Sequence, residues 1–467
     1  MNPEFQRNIW LEASPRRIAW AGVVLALIFG ATALVTKNEG ALVAKAMSGV
    51  GVGIFVLCAV MWGARAAGTA VISEISDRTW DFQRLSALTP WAMTWGKLFG
   101  ATSLAWLCGL TGLAVMALAA LVDGEPDKGW SLVQLLAIAL LVQAISMVAA
   151  LIGVRKARAE GRIARAGGVL GGLIIGILLL FSIGGASGFQ HGMGLTGITE
   201  MLSSHATVLW WSASVPGDLF RAVAGVVFAA WALAGAWRLM RLELQMQNTP
   251  LVWPGFLLFL ALFTAGFQIA QGGLTAGLVS GALIVALCAY GAAFADPADR
   301  VRLRQFAEST RRGDLKRAAP IMPAVLAPVI LTILLVIVAA VAMGPLPDGS
   351  PAQSLGVRQA VALIAFMIRD LGVIAFFRFG PRPQRGDFGA VVALALLYGI
   401  GGIVGGSIGK DFGFALFTPL GEATLVSVLS GGVQAVLAWT LAVRRIRAPE
   451  AKLSAPAPSA PASAPAS

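Results

Sequence analysis

The residues whose types and spacing could do chemistry lie in one polar segment, one pair of adjacent charges and one pair of histidines. Residues 73–97 read SEISDRTWDFQRLSALTPWAMTWGK and combine carboxylates, guanidinium groups, a Thr-Pro pair and a Gly-Lys pair. Arg369 and Asp370 stand inside a long apolar run, where charges are costly and commonly functional. The two histidines, His191 and His205, are too few for the ligand set of a metal site, so we predict no metal.

The composition indicates which elements must position these residues. Of the 467 residues, 57% are apolar and 12% are charged, about half the charged share of a soluble domain. The mean hydropathy is +0.80. A soluble enzyme would expose more charge and a disordered chain would be less apolar, so we predict an all-α polytopic membrane protein. The three cysteines form neither a CxxC pair nor a disulfide framework, and we interpret them as packing residues.

Twelve apolar runs approach or exceed the length of about 20 residues that a membrane-spanning helix needs. The predicted spans cover residues 18–36, 46–64, 98–122, 130–153, 167–187, 219–240, 252–271, 273–294, 324–344, 359–378, 389–408 and 422–443. We expect residues 1–17 to form a cytoplasmic interfacial helix. The Ala, Pro and Ser of residues 448–467 predict a disordered tail.

The net charge of +12 reports orientation. If the spans alternate, 29 of the 35 Lys and Arg residues fall on the side of the N-terminus and 6 on the other side. Basic residues concentrate in cytoplasmic loops, so we expect both termini in the cytoplasm and the chain in a bacterial cytoplasmic (inner) membrane. The basic excess is then no sign of nucleic-acid binding, and the bilayer is the expected surrounding.

Two pseudo-repeats of six spans, 18–249 and 250–447, are predicted from features that recur at matching positions. Each half has a long cytoplasmic segment after its second span, at 65–97 and at 295–323. Each also has an apolar, Gly-rich outer segment that ends in a proline and then a carboxylate, namely Pro216 and Asp218, and Pro419 and Glu422. Such segments are too apolar for water. We expect re-entrant or interfacial helices there, or hydrophobic loops packed on the spans.

Segment 73–97 has the pattern of an amphipathic helix followed by a helix start. Apolar residues recur at helical spacing, and they are Ile72, Ile75, Phe82, Leu85 and Leu88. Thr89 and Pro90 suit the N-cap and the first position of the next helix. We therefore predict an amphipathic helix on the cytoplasmic side, with Lys97 at the return to the membrane.

Here the chain resembles the permeases of type-2 ATP-binding-cassette (ABC) exporters. After their second span, these permeases carry an acidic residue, a polar stretch with Thr, a Leu-rich helix, a Thr-Pro pair and a Gly-Lys pair. The matching residues in this chain are Glu74, Arg78, Thr79, Leu85, Leu88, Thr89, Pro90, Gly96 and Lys97. The chain departs from the pattern at Trp80, where a small apolar residue or Leu is more common, and at Arg78, where a Gly usually precedes the Thr.

The resemblance implies that segment 73–97 is a coupling helix that docks on a separate nucleotide-binding subunit. The implied docking residues are Glu74, Arg78, Thr79, Phe82, Leu85, Leu88, Thr89, Pro90, Gly96 and Lys97. ATP and Mg would be bound by two partner ATPase subunits and not by this chain, in which we find no phosphate-binding loop. Such permeases usually have six spans and dimerise, so a twelve-span chain would be a fused form. An amphipathic helix lying on the lipid surface is the alternative.

Three functions stay open. The leading one is a permease, without enzymatic activity of its own, that moves an apolar or amphipathic compound outward. The alternatives are a twelve-span secondary transporter and a non-transporting membrane scaffold. Arg369 and Asp370 form either an intramembrane polar site or a pair near the inner interface in a shorter span. Adjacent residues diverge by about 100° on a helix, which allows them to bond other spans rather than each other.

Overall fold

The computed structural model describes residues 2–37, 41–76, 80, 88–122, 129–159, 207–246, 250–342, 351–380, 385–409, 412–419 and 423–447. Within this part of the chain, ten helices are long and apolar enough to cross a membrane. The number rises to eleven if the bent pair Leu315–Ile321 and Leu326–Ala342 counts as one span. The chain is therefore a multi-pass helical membrane protein.

Contacts divide the chain into two compact units, Met1–Val357 and Arg358–Ser467. The helices of the first unit are α1 (Pro3–Glu12), α2 (Pro15–Thr36), α3 (Ala41–Phe55), α4 (Gly63–Ser76), α5 (Pro90–Gly100), α6 (Ser103–Val122), α7 (Gly129–Ala159), α8 (Gly217–Glu243), α9 (Val252–Ala295), α10 (Arg300–Arg311), α11 (Leu315–Ile321) and α12 (Leu326–Ala342). A π-helical turn (Val56–Trp62) joins α3 to α4, and the strands β1 (Thr207–Trp210) and β2 (Ala213–Pro216) precede α8.

The second unit takes in most of α13 (Pro351–Arg378), then α14 (Gly386–Ile408), α15 (Phe412–Phe417) and α16 (Thr424–Arg447). Small residues let α15 lie directly against α14, because the backbones of Gly405 and Gly413 touch there. A methyl group on Gly401 would come within 2.7 Å of the Phe417 ring. Glycines four residues apart, here Gly401 and Gly405, permit close helix packing.

Eleven of the twelve predicted spans coincide with helices of the structure. The remaining one, 167–187, lies outside the described residues. The total of twelve and the arrangement in two repeats of six stay predictions. The predicted halves divide at 249, whereas the compact units divide at 357.

A polar bridge holds the π-helical turn inside the first unit. The Gln143 side chain donates a hydrogen bond of 2.7 Å to the Ala59 carbonyl of that turn. It also accepts one of 3.1 Å from the Trp106 indole. Gly63 leaves the room that the Gln143 amide occupies. A π-helical turn disturbs the regular backbone bonding of a helix, and the Gln143 amide bonds one of its buried carbonyls.

The described end of the first outer segment is a β-hairpin and not a re-entrant helix. Strands β1 and β2 pair antiparallel across a two-residue turn, in which Trp211 and Ser212 have φ of 48° and 63°. Trp210 donates to the Phe263 carbonyl at 3.0 Å, and the Trp211 N–H donates to the Gly266 carbonyl at 2.9 Å. These bonds fasten the hairpin to α9. This arrangement agrees better with a hydrophobic loop packed on the spans than with a re-entrant helix.

Candidate functional site

The N-terminal helix α1 packs closely on α5, most of which belongs to segment 73–97. Gly96 and Gly100 lie one turn apart on α5 and face Glu4 and Asn8, which lie one turn apart on α1. A methyl group on Gly96 would come within 2.8 Å of the Glu4 Cβ, and one on Gly100 within 2.6 Å of the Asn8 Cβ. Two glycines four residues apart remove the side chains that would separate the helices.

Four charged residues form an ion cluster at this contact: Glu4, Arg7, Glu74 and Lys97. The Lys97 side chain has no exposed surface, and its Nζ lies 2.9 Å from Glu4 Oε1 and bonds directly to Glu74 Oε2. Arg7 donates to Glu74 Oε1 at 3.0 Å and lies 3.4 Å from Glu4 Oε1. The two cations balance the two anions, as buried charges require. The ion cluster thereby joins α1, α4 and α5.

Two neutral side chains complete the surroundings of the ion cluster. The Asn8 amide donates to Glu4 Oε1 at 3.1 Å. Trp80 is 3% exposed, and the Lys97 ammonium lies 5.4 Å from the centre of its ring, a favourable cation–π distance. Trp80 also packs in the apolar core with Met93. Trp80, one of the two residues at which the chain departs from the exporter pattern, is therefore part of the site.

The cluster determines the charge state of Glu4. Burial alone would raise the pKa of this carboxyl. The Lys97 ammonium, together with hydrogen bonds from Lys97 and Asn8 and the charge of Arg7, brings the pKa below its ordinary value of 4.5. Bonds to the charged form of an acid favour that form. Glu4 is therefore a carboxylate at neutral pH.

The predicted helix start at Thr89 and Pro90 is confirmed. Thr89 is the N-cap of α5, and its side chain accepts a hydrogen bond of 3.2 Å from the Ala92 N–H. Pro90 is the first residue of that helix. Leu88, just before the cap, packs against the apolar core that contains Trp80.

The structure separates the implied docking residues into groups. Lys97, Gly96 and Glu74 are buried against elements of the same chain. Through these contacts the three residues position α1, α4 and α5, and their docking role stays a prediction. Thr89 is exposed. Four further residues lie outside the described part of the chain, and their docking role stays a prediction: Arg78, Thr79, Phe82 and Leu85.

A second cluster lies in the second unit, around the predicted intramembrane charges. Arg369 and Asp370 are each 1% exposed and are joined by a hydrogen bond of 2.8 Å from Nε to Oδ1. The Tyr398 hydroxyl donates to Asp370 at 2.7 Å, and Arg369 donates to the Gln434 side chain at 2.9 Å. The Arg369 guanidinium also lies 4.5 Å from the centre of the Phe366 ring. We call Arg369, Asp370, Tyr398 and Gln434 the polar core site.

The expectation that the two charges bond other spans rather than each other is half right, because they do both. The alternative of a pair near the inner interface in a shorter span stays open, because the length of a helix does not set the position of the bilayer. The α13 helix continues to Arg378, about 13 Å past Arg369 at the rise of an α-helix. Sequence reasoning missed Tyr398 and Gln434. Their signal was the one tyrosine of the predicted span 389–408 and the one glutamine of the predicted span 422–443.

The polar core site is connected to the second outer segment. The Gln434 amide donates to the Leu416 carbonyl at 2.8 Å, and the Ser430 hydroxyl donates to the same oxygen at 2.6 Å. Ser427 donates to the Thr418 carbonyl at 3.2 Å. Three side chains of α16 thus bond the carboxyl end of α15 and its continuation. A change at Arg369 can reach that segment through Gln434.

Of the two outer carboxylates named in the sequence analysis, Asp218 lies within the described residues and Glu422 does not. Pro216 ends β2 directly before α8. Asp218 stands in the first turn of α8 and forms an ion pair with Arg221, whose side chain is 5% exposed. This pair secures the start of the helix, where an acidic residue also suits the helix dipole. Pro419 follows α15, and Glu422 lies outside the described residues.

No protein-family model, no curated protein and no solved structure matches this chain. Among the residues that the structure describes, no group of three His, Cys, Asp or Glu side chains could hold a metal ion. Fold and sites together define a multi-pass helical membrane protein with two buried polar clusters. The ion cluster lies next to segment 73–97, and the polar core site lies among the apolar helices α13, α14 and α16.

Proposed function

We propose that the chain is the membrane-spanning permease of an ATP-driven exporter that works with a separate ATPase subunit. The observation that carries the proposal is the ion cluster. It holds together the N-terminal helix and the two helices that border the remainder of segment 73–97, whose residue pattern resembles the coupling helix of type-2 ABC exporters. A partner docked on that segment would therefore move α1, α4 and α5 together.

The length of the flanking helix supports this role. The continuous helical stretch Val43–Ser76 has 34 residues, about 50 Å at the rise of an α-helix. The hydrocarbon core of a bilayer is about 30 Å thick, so with the predicted span at 46–64 the end that carries Glu74 would extend beyond it. A displacement at Glu74 would be transmitted along one helix into the membrane.

An apolar groove between the first helices supports an apolar or amphipathic cargo. A groove of about 530 Å³ lies between α2, the π-helical turn and α6. Its lining includes Trp20, Val24, Leu57 and Leu104, with Arg17 at one end. An apolar compound that partitions into the bilayer could enter such a groove from the side.

Co-purification tests the proposal. The tagged chain is isolated from native membranes with its ATPase, and the variants Leu85→Asp and Val301→Asp are compared. We expect Leu85→Asp to lose the ATPase because it places a carboxylate in the apolar stripe. Val301→Asp, at an exposed position of α10, should keep it. A purified chain that neither binds an ATPase nor stimulates ATP hydrolysis would refute the proposal.

The polar core site favours a secondary transporter as the second candidate. A buried carboxylate bonded to an arginine and a tyrosine is the type of group that relays protons in transporters. Proteoliposomes without ATP distinguish the candidates. Transport that depends on a proton gradient and is abolished by Asp370→Asn would favour the secondary transporter. A chain that transports under neither condition would fit the membrane scaffold.

A further inference from the structure

A strongly basic surface lies on the helical hairpin between two candidate spans. Residues 300–317 carry seven basic and two acidic side chains. Four of the basic residues surround the turn between α10 and α11, where Gly313 has φ of +72°. We call these four the basic turn: Arg311, Arg312, Lys316 and Arg317.

The hairpin is fastened to the ends of both neighbouring spans. Arg302 of α10 donates to the carbonyls of Ile321 and Met322 at 3.0 and 2.8 Å, and to Asp296 at 2.8 Å. Asp296 follows the last residue of α9, and its second oxygen accepts from the Ala324 N–H at 2.9 Å. These bonds hold the base of the hairpin at the end of α9 and at the residues just before α12.

The direction of α11 places the basic turn along that surface. Helix α11 is bent by 104° from α12. If α12 crosses the bilayer, α11 lies nearly parallel to the membrane plane. Leu315 at its start is 71% exposed. An exposed leucine flanked by cations on an in-plane helix is the arrangement of interfacial helices that bind anionic lipid.

The acidic neighbours do not cancel this charge. Glu308 pairs with Arg312 and Asp314 pairs with Arg317, but the arginine side chains stay 69% and 79% exposed. Exposed pairs of this kind bind weakly, so both guanidinium groups can exchange their partner for another anion. Residues 300–317 keep an excess of five positive charges.

We propose that the basic turn binds the anionic headgroups of phospholipids, with the Leu315 side chain placed among the upper acyl chains. The attraction acts over about 8 Å at physiological ionic strength, and an α11 helix in the membrane plane would bring the basic turn to that range. Each Lys or Arg near an anionic surface strengthens binding about fivefold. This inference does not depend on what the chain transports.

The test uses the full chain in lipid nanodiscs. A fluorophore is attached to Thr310→Cys, next to the basic turn, in a chain whose three native cysteines are replaced by alanine. Quenching by a headgroup-labelled nitroxide lipid is measured in phosphatidylcholine and in an equal mixture with phosphatidylglycerol. We expect stronger quenching in the anionic mixture, and its loss at high salt.

Two charge variants distinguish the basic turn from net charge. The test variant replaces the basic turn by glutamine at all four positions. The control variant removes the same number of exposed charges elsewhere, at Arg16, Lys37, Arg444 and Arg447. The test variant should lose the response to phosphatidylglycerol, whereas the control variant should keep it.

Three outcomes would overturn the inference. The first is quenching that is equal in the two lipid mixtures. The second is an equal loss of response in both variants, which would mean that total charge decides. The third is fluorescence quenching that does not depend on the lipid, together with loss of binding to a soluble acidic protein in the test variant. Thermal unfolding of each variant verifies that the fold is retained.

Discussion

Replacement of Lys97 by methionine should release the N-terminal helix. The variant keeps the length of the side chain and removes its charge, which leaves two carboxylates, Glu4 and Glu74, with Arg7 alone. Removal of one partner from a buried ion pair costs about 3–5 kcal/mol. Arg7 is 44% exposed and stays within 3.4 Å of both carboxylates. We therefore expect the lower end, about 3 kcal/mol.

The loss should appear as local opening of α1 rather than as global unfolding. Helix α1 has ten residues and is too short to be stable alone in water, so it depends on its contact with α5. A loss of about 3 kcal/mol corresponds to about a hundredfold lower protection of its amides. Hydrogen exchange followed by mass spectrometry on peptides that cover α1 measures this protection.

Matched variants make the result specific. Arg17→Met removes an exposed pair with Glu12, whose side chains are 56% and 42% exposed, and should change protection by less than about fivefold. Lys97→Met combined with Glu74→Gln removes the excess anion and should recover part of the loss. The reasoning is refuted if Lys97→Met leaves the protection of α1 unchanged, or if Arg17→Met lowers it equally.

Three further predictions follow from the same contacts. Gly96→Val should also open α1, by about 2 kcal/mol or more, because the added side chain overlaps Glu4; hydrogen exchange of α1 measures it, and unchanged exchange would contradict the close packing. Folding lowers the pKa of Glu4 below its ordinary value of 4.5. The stability that its carboxylate contributes to the contact of α1 is therefore complete above pH 4.5 and is lost as pH falls through the folded pKa. Limited proteolysis near residue 12 should accelerate only in that acidic range. Asp370→Asn should lower the free energy of unfolding by about 3 kcal/mol because it leaves Arg369 without its anion, whereas Glu308→Gln, in a pair with Arg312 whose side chains are 61% and 69% exposed, should cost less than about 1 kcal/mol; thermal unfolding compares them, and equal costs would refute the argument.

Local patterns were sufficient to predict most of the helices. Membrane spans are apolar because polar side chains are costly in hydrocarbon, and helical because no water is there to bond an exposed backbone. Both rules act within about 20 residues. The start of α5 was predictable for the same reason, since Thr89 and Pro90 satisfy the helix end by themselves. The polar nature of segment 73–97 and the charges at Arg369 and Asp370 were equally visible.

The direction in which a polar side chain points was decided by tertiary structure. Lys97 could have faced a partner protein, as the resemblance to exporter permeases implied. Its bond to Glu4 spans 93 positions of the chain, a separation over which helical periodicity carries no information. Gln434 lies 65 positions from Arg369 and escaped prediction for the same reason.

The outer hairpin shows the limit of local signals most clearly. Its turn consists of Trp211 and Ser212 with positive φ, where Asn-Gly or Asp-Gly would have been the recognisable sequence. The bonds of its tryptophans to Phe263 and Gly266 hold this conformation. The sequence by itself therefore determined that the chain is a bundle of apolar helices and where its unusual charges stand. Only the tertiary structure decided which charges are buried together, because burial in pairs depends on residues that meet in space and not along the chain.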